Sequence, residues 1–407
     1  MLDTLQLSKG AIDILLNVFE GFAGIGVFTI ALREMGIDYN LIGTSEVDKY
    51  AIVSYDAIHN NSIKLSNDNL SDDEMITYLK NINVAYNFST GKSEMPKSHD
   101  DILRLYSSCK NIKNYGDIRN IDVENLPSID LFTYSFPCKN ITNEGRQLGF
   151  EKDSGTQSSL VWNCEPMVKY KRPKYLIMEN VKNIISKTNI DTFNEWCATL
   201  ESYGYTNYWK IYNAKKYGIP QNRERLLMLS ICDDDSNFNV PNEIDLNISL
   251  YDLLEKNKVD EKYYIDINNT YNGLISNLRF DGEGNPIVDV REATKKGYTE
   301  ATLGDSINVA HYNSKTRRGR VGHGVAQTLT TTCYQHVLEM DGSVRRLTPK
   351  ECWRLQLLND TYFDRVNEIA QIPETKLYER AGRTIPITIV KAIYHNLFGE
   401  ILNEKNN

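Results

Sequence analysis

A strand, a glycine-rich turn, a helix and a second strand lie within the first sixty residues, and together they leave few architectures open. Asp13 to Phe19 reads as the first strand. Glu20-Gly21-Phe22-Ala23-Gly24-Ile25-Gly26 is the turn, and Val27 to Met35 a helix that Gly36 ends. Leu41 to Glu46 is the second strand, closed by Glu46-Val47-Asp48, and another helix runs through Ile58. Glycines in the first βα turn, with an acid ending the second strand roughly twenty residues on, describe a βαβ unit. The chemistry suits a nucleoside. Glycines let the backbone approach a ligand, and a carboxylate accepts from both ribose hydroxyls. The turn is not GxGxxG and implies no pyrophosphate, so a nucleotide and an adenosyl cofactor fit equally well. A tight structural turn would explain any single glycine here, but explains the glycines and Glu46 together less easily.

A second signal lies at Ser135-Phe136-Pro137-Cys138. It follows the apolar run Ile129 to Tyr134, which reads as a buried strand. Open α/β sheets place ligands and chemistry just past such carboxyl ends. Pro137 stiffens the turn and Cys138 points into a cleft. Taken alone, a loop that happens to hold a cysteine explains the pair as well. The polar loop from Asn143 to Gly155 reads as a lid, and Gln157 to Lys169 as a helix. A strand over Tyr175 to Met178 then ends in Glu179-Asn180-Val181. A helix over Asp191 to Tyr203 and strands over Asn207 to Asn213 and Arg225 to Ile231 complete a mostly parallel sheet. Gln221-Asn222-Arg223-Glu224-Arg225 puts two cations before the last strand.

Composition sets the bounds. At 407 residues the chain is long enough for two domains. The cysteines (109, 138, 164, 197, 232, 333, 352) are odd in number and form no CxxC pair, which argues for a reducing cytoplasm and against a disulfide framework or a zinc site. The six histidines are unclustered, so no metal is expected. No apolar run approaches bilayer length. A net charge of −8 counts mildly against nucleic acid, but the basic residues are uneven. Residues 61–113 read as a polar insertion with some helix, for instance Asp72 to Ile82. Residues 232–330 lose periodicity and end in Lys315-Thr316-Arg317-Arg318-Gly319-Arg320, which reads as a separate small lobe. By itself that basic run reads as a solvated loop. Regular structure returns after Thr348-Pro349 and again after Ile385-Pro386.

Cys138, Glu179 and Arg225 each fall near the end of a candidate strand. A thiolate, a carboxyl group and a guanidinium suit attack on an electron-poor heterocycle. With these residues in place the chain resembles the DNA (cytosine-5)-methyltransferases, in order, over nearly its whole length. Phe22-Ala23-Gly24-Ile25-Gly26 resembles that family's cofactor loop, and Glu46, with Val47 beside it, its ribose-binding acid. Gly116-Asp117-Ile118, whose acid reads locally as a helix N-cap or turn residue as readily as a partner for a base's exocyclic amine, resembles the segment near the adenine, and Pro137-Cys138 the nucleophile motif. Glu179-Asn180-Val181 resembles the motif whose Glu holds the target base, and Gln221 to Arg225 its Gln-x-Arg-x-Arg motif. Arg346 to Cys352 and Ala381-Gly382 with Thr384-Ile385-Pro386 resemble the two closing motifs.

The resemblance implies a Rossmann-like, class I S-adenosyl-methionine-dependent α/β fold over 1–231 plus 341–407, with residues 232–340 as a target-recognition domain. It also implies base flipping, attack of Cys138 on C6, Glu179 on N3 and the amine, and Arg225 on O2 and the nearby backbone. Arg223 would meet a phosphate or fix the site's geometry. Arg317, Arg318 and Arg320 become available for phosphates or guanine edges. Double-stranded DNA is the expected partner and a monomer the expected state. A cognate restriction endonuclease is a candidate companion. A non-catalytic DNA-binding relative would have lost Cys138 or Glu179, and both are present.

Two positions depart from the family. Lys139 stands where it has Gln or Asn, and a cation there suits a DNA phosphate. Arg383 and Thr384 stand where it reads Asn-Ser beside the cofactor's methionine end. A guanidinium about 4 Å from a sulfonium is repelled by roughly 4 kcal/mol at an effective dielectric near 20. Arg383 therefore turns to solvent or DNA, pairs with a carboxylate such as Glu20, or grips the carboxylate of carboxy-S-adenosyl-methionine. The last option would make the product 5-carboxymethylcytosine.

Overall fold

The computed structural model describes residues 15–87, 90, 92–141, 148–233, 238–316 and 318–405. Its main sheet holds β1 (Leu16–Gly21), β2 (Tyr39–Ser45), β3 (Leu131–Tyr134), β4 (Tyr175–Val181), β5 (Tyr205–Asn213) and β6 (Glu224–Cys232) in the order β2-β1-β3-β4-β6-β5. The pairs β1/β2, β1/β3 and β3/β4 are parallel, and β6 runs antiparallel to both β4 and β5, so β6 alone is reversed.

Alternation along the strands sorts their buried apolar residues into two cores. Val18, Leu131, Ile177 and Leu227 face the N-terminal and C-terminal helices. Phe19, Phe132, Leu176 and Leu226 face the opposite layer. Strands buried on both sides read as continuous apolar runs, which is why they were visible in the sequence. The first core is covered by α1 (Val27–Glu34), α2 (Lys49–Asn60), α3 (Asp72–Asn81) and α4 (His99–Asn111). The second is covered by α5 (Ile190–Ser202) and irregular turns. Segment 61–113 is thus less peripheral than its polar composition suggests. Met75, Leu79, Ile102, Leu105 and Cys109 are buried in the first core. The helix expected over Gln157 to Lys169 is instead a 3-10 stretch, Ser158–Cys164, and a π turn, Met167–Lys171. Pro166 between them lacks the N–H an α ladder needs.

The chain's end returns to its beginning. After α6 (Pro349–Arg354) and α7 (Asp360–Arg365) come α8 (Glu374–Arg383) and α9 (Ile387–Lys405). Lys391 pairs with Glu34 of α1 at 2.5 Å, and Arg365 donates to the Ile58 carbonyl of α2 at 3.0 Å.

Between β6 and α6 lie two smaller sheets. β7 (Tyr264–Ile265), β11 (Ser306–His311), β12 (Arg318–Gly322), β13 (Gln335–Leu338) and β14 (Val344–Arg346) pair in the order β7-β14-β13-β11-β12. β8 (Ile275–Phe280), β9 (Pro286–Arg291) and β10 (Tyr298–Ala301) form the other. Leu274, Val288, Val290, Ile307, Val309 and Val344 make a third core between them. Gly319 lets them close, since a Cβ there would lie 2.9 Å from Val290.

Candidate active site at the carboxyl edge of the sheet

β2 and β3 lie on opposite sides of β1, so the strand order reverses at β1 and opens a crevice at its carboxyl end. Gly21 of β1 pairs in register with Tyr134 of β3. The glycine turn and the loop bearing Cys138 are therefore neighbours. β6 is reversed, so its first residues reach this same edge, and Arg225 pairs in register with Val181.

The glycine turn is fixed from below. Phe22 (φ 55°), Gly24 (φ 57°) and Gly26 (φ 74°) are left-handed, a conformation costly for an aromatic residue and cheap for glycine. A Cβ on Gly26 would lie 2.4 Å from both His59 and Tyr55. A Cβ on Gly24 would meet nothing within 4 Å, so that face of the turn is open. Ile25 is buried, and His59 Nε2 donates to its carbonyl at 3.1 Å. Burial, then the charge of Arg33, pushes the His59 imidazole down to about 3, so it is neutral there. Below Gly26, Glu20 accepts from Tyr55 Oη at 2.6 Å and Thr29 Oγ1 at 3.0 Å. Burial raises the Glu20 carboxyl to about 7 against those hydrogen bonds.

Glu46 fastens the turn to β2. Its Oε2 accepts from Gly24 N at 2.9 Å, and its Oε1 from Val47 N and Asp48 N at 2.8 Å each. Four lone-pair sites minus three donors leaves one for a ligand hydroxyl. Burial raises this carboxyl, and the charge of Asp48 adds to the effect. Ala23 N donates to Ser45 O at 3.2 Å. Asn114, which the sequence did not single out, braces the same corner. It accepts from Glu46 N at 3.0 Å and donates to Glu46 O at 2.9 Å.

Of the two parts open to Asp117, the structure shows the local cap. It caps the turn Ile118–Asn120 and pairs with Arg119 at 2.6 Å while 3% exposed. A guanidinium two residues away, with Asn83 at 3.4 Å, engages both of its oxygens. The local capping role is the one the structure holds, with Ile118 buried beside it.

At the neighbouring loop Pro137 and Cys138 are half-buried and Lys139 is exposed. Burial pushes the Cys138 thiol up, the Arg225 guanidinium pulls it down, and the Glu179 carboxylate pushes it up again. Glu179 Oε1 forms an ion pair with Arg225 Nε at 3.1 Å, and its Oε2 accepts from the Ser135 hydroxyl. Asn180 Nδ2 donates to Phe136 O at 3.0 Å, a second tie between this loop and β4. Cys138, Glu179 and Arg225 are thus brought together.

Arg223 belongs to a different structure. It is 1% exposed and donates to the carbonyls of Leu329 (2.9 Å), Gly382 (2.8 Å) and Thr384 (2.9 Å). A guanidinium so enclosed fixes geometry and does not meet a phosphate. Gln221 works beside it, accepting from Leu329 N at 3.1 Å and donating to Leu355 O at 2.8 Å. The Thr384 hydroxyl donates to Arg380 O at 2.7 Å, so its bond is local.

Arg383 is 57% exposed and pairs with Asp48 (3.3 Å) and Glu379 (2.5 Å), not with Glu20. Arg380, 3% exposed, joins Asp48 at 2.6 Å. Burial alone would raise the Asp48 carboxyl. Arg380 and then Arg383 outweigh it and hold the group down to about 2. In the smaller sheets Arg318 is half-buried at φ 42° and Arg320 is exposed on β12, while Arg317 lies outside the described residues. Among the described residues no group of three His, Cys, Asp or Glu side chains could hold a metal, and no helix is long and apolar enough to cross a membrane.

A nearly parallel sheet with a glycine turn and the acid Glu46 at its switch point is the arrangement of the class I methyltransferase fold. The chain belongs to the C-5 cytosine-specific DNA methylase family, whose sequence profile matches residues 74–399. It is 39% identical over 389 residues to the type II methyltransferase M2.ScrFI of Lactococcus lactis subsp. cremoris, covering 94% of this chain and 99% of that one. It is 32% identical over 407 residues to the orphan methyltransferase M.SssI of Spiroplasma monobiae, covering 94% and 97%. The S. pombe Dnmt2 methyltransferase structure superposes with a TM-score of 0.53 over 96% of this chain and 100% of that one, at 14% identity, a likeness of fold alone.

Proposed function

We propose that the protein methylates C5 of a cytosine within a specific duplex DNA sequence through a covalent intermediate on Cys138. The observation that carries this reading is the convergence of Cys138, Glu179 and Arg225 beside the glycine turn at one sheet edge. Neither C6 nor C5 is reachable inside a stacked duplex, so the target base leaves the stack first. Cys138 Sγ bonds to C6 as the thiolate. Glu179 bonds N3 and the exocyclic amine and supports electron flow into the ring, while Arg225 steadies the O2 side. C5, now electron-rich, would accept the methyl group of a sulfonium donor, whose S–CH3 bond breaks to leave a neutral thioether. Loss of the C5 proton and departure of Cys138 from C6 then restore the ring and the enzyme.

S-adenosyl-methionine would supply an electrophilic methyl group. The turn from Phe22 to Gly26, open above Gly24, and the remaining lone pair of Glu46 fit its nucleoside end. The smaller sheets within 232–340 would read the DNA, with Arg318 and Arg320 on the duplex and Lys139 at a phosphate.

Carboxy-S-adenosyl-methionine is the less favoured donor. The charge of Arg383 is answered by Asp48 and Glu379, so no cofactor carboxylate is needed to pair it. Mass spectrometry of nucleosides from DNA incubated with each donor tests this. The expected result is 5-methylcytosine from S-adenosyl-methionine and no carboxymethyl product. Carboxymethylcytosine from the other donor would overturn the assignment.

A further inference from the structure

Ser135 sits three residues before Cys138 on the same loop, and its hydroxyl donates to Glu179 Oε2. Arg225 Nε holds the other oxygen, Oε1, at 3.1 Å, and the Glu179 side chain is 7% exposed. The two partners differ in kind. A guanidinium only donates, so Arg225 can serve Oε1 only while that oxygen carries no proton. A hydroxyl both donates and accepts, so Ser135 can serve the carboxylate and, by turning its O–H, the protonated acid. If Glu179 supports N3 while Cys138 adds to C6, its carboxyl passes between those two states. A buried polar group left unpaired at that moment would be costly.

We propose that Ser135 is a positioning residue for base modification: its hydroxyl holds the Oε2 side of Glu179 through both protonation states, while Arg225 holds the Oε1 side. The inference rests on the functional reading above. It does not require Ser135 for folding, because the bond from Asn180 Nδ2 to Phe136 O ties the same loop to β4 independently.

The test uses full-length enzyme and DNA copied with 5-fluoro-deoxycytidine triphosphate in place of the cytosine nucleotide, so that every cytosine carries the probe. Single-turnover adduct formation is followed at saturating DNA with S-adenosyl-methionine. Ser135→Ala is expected to slow it about tenfold, with DNA affinity held within about twofold. Ser135→Thr restores the rate, and its isostere Ser135→Val does not. That pair keeps the test intact should the alanine variant fold poorly. In a Glu179→Gln background Ser135→Ala is expected to add less than about twofold, because the hydroxyl acts through the carboxyl. The proposal is overturned if Ser135→Ala matches the unsubstituted enzyme, or if its full effect persists on Glu179→Gln. Absence of adduct with the unsubstituted enzyme would overturn the functional reading and this inference with it. Adduct formed equally by enzyme and variant overturns the inference alone.

Discussion

At the scale of single residues two carboxyls, Glu20 buried and Asp48 half-buried, give opposite pH signatures. Glu20 is raised by burial from 4.5 to about 7, so the folded chain binds its proton more tightly than the unfolded chain does. Its contribution is complete below pH 4.5 and is lost as pH rises through 7. A shift of that size corresponds to about 3 kcal/mol. Glu20→Gln should therefore flatten the fall in stability between pH 5.5 and 8 in urea unfolding; an unchanged slope would contradict the assignment. Asp48 runs the other way. Its carboxyl lies at about 2 against an ordinary 3.8, so its stabilisation is present above 3.8 and is lost as pH falls through 2. Asp48→Asn leaves Arg380 buried with only Glu379 at 3.4 Å, and an unfolding loss of about 3 kcal/mol is expected. Arg383→Asn removes a half-exposed partner and should cost no more than about 1 kcal/mol in the same assay.

At the scale of the element, the glycine turn separates folding from binding. Gly24 is left-handed with open space above it, so Gly24→Ala costs only backbone strain of about 1 kcal/mol. If the cofactor lies over that space, its affinity should drop by at least about tenfold in calorimetry while the fold persists. Gly26→Ala meets His59 and Tyr55 at 2.4 Å and should weaken both stability and binding. Equal cofactor affinity for Gly24→Ala and the unsubstituted chain would place the ligand elsewhere. The legibility of these elements in the sequence follows from their physics. β3, β4 and β6 were visible because burial on both faces makes most of their residues apolar. The turns over 158–171 were not, because apolar spacing outlines a helix that Pro166 then interrupts. Cys138, Glu179 and Arg225 were legible as motif residues. The pairing of Arg383 with Asp48 was not, since Asp48 lies 335 residues away. By sequence Asp117 fits a cap and a base's amine equally well, and the fold shows the cap and its guanidinium partner two positions on. Ser135 carries no recognisable role beside Cys138 in the sequence, because only the fold brings it to Glu179.

At the scale of the whole molecule, Arg223 and Gln221 join β6 to the segment at Leu329 and to the end of α8. The site edge is therefore coupled to the smaller sheets and the returning C-terminus through buried carbonyl bonds. If β12 faces DNA, Arg320→Ala should lower the slope of log affinity against log salt by about one while leaving the fold intact. An unchanged slope would remove Arg320 from the interface. The central claim concerns Cys138, and it has a direct measurement: peptide mass spectrometry of the complex trapped on 5-fluorocytosine DNA. The expected result is a pyrimidine adduct on the peptide carrying Cys138, absent in Cys138→Ala. An adduct on another cysteine, or C5 methylation that survives Cys138→Ala, would contradict it.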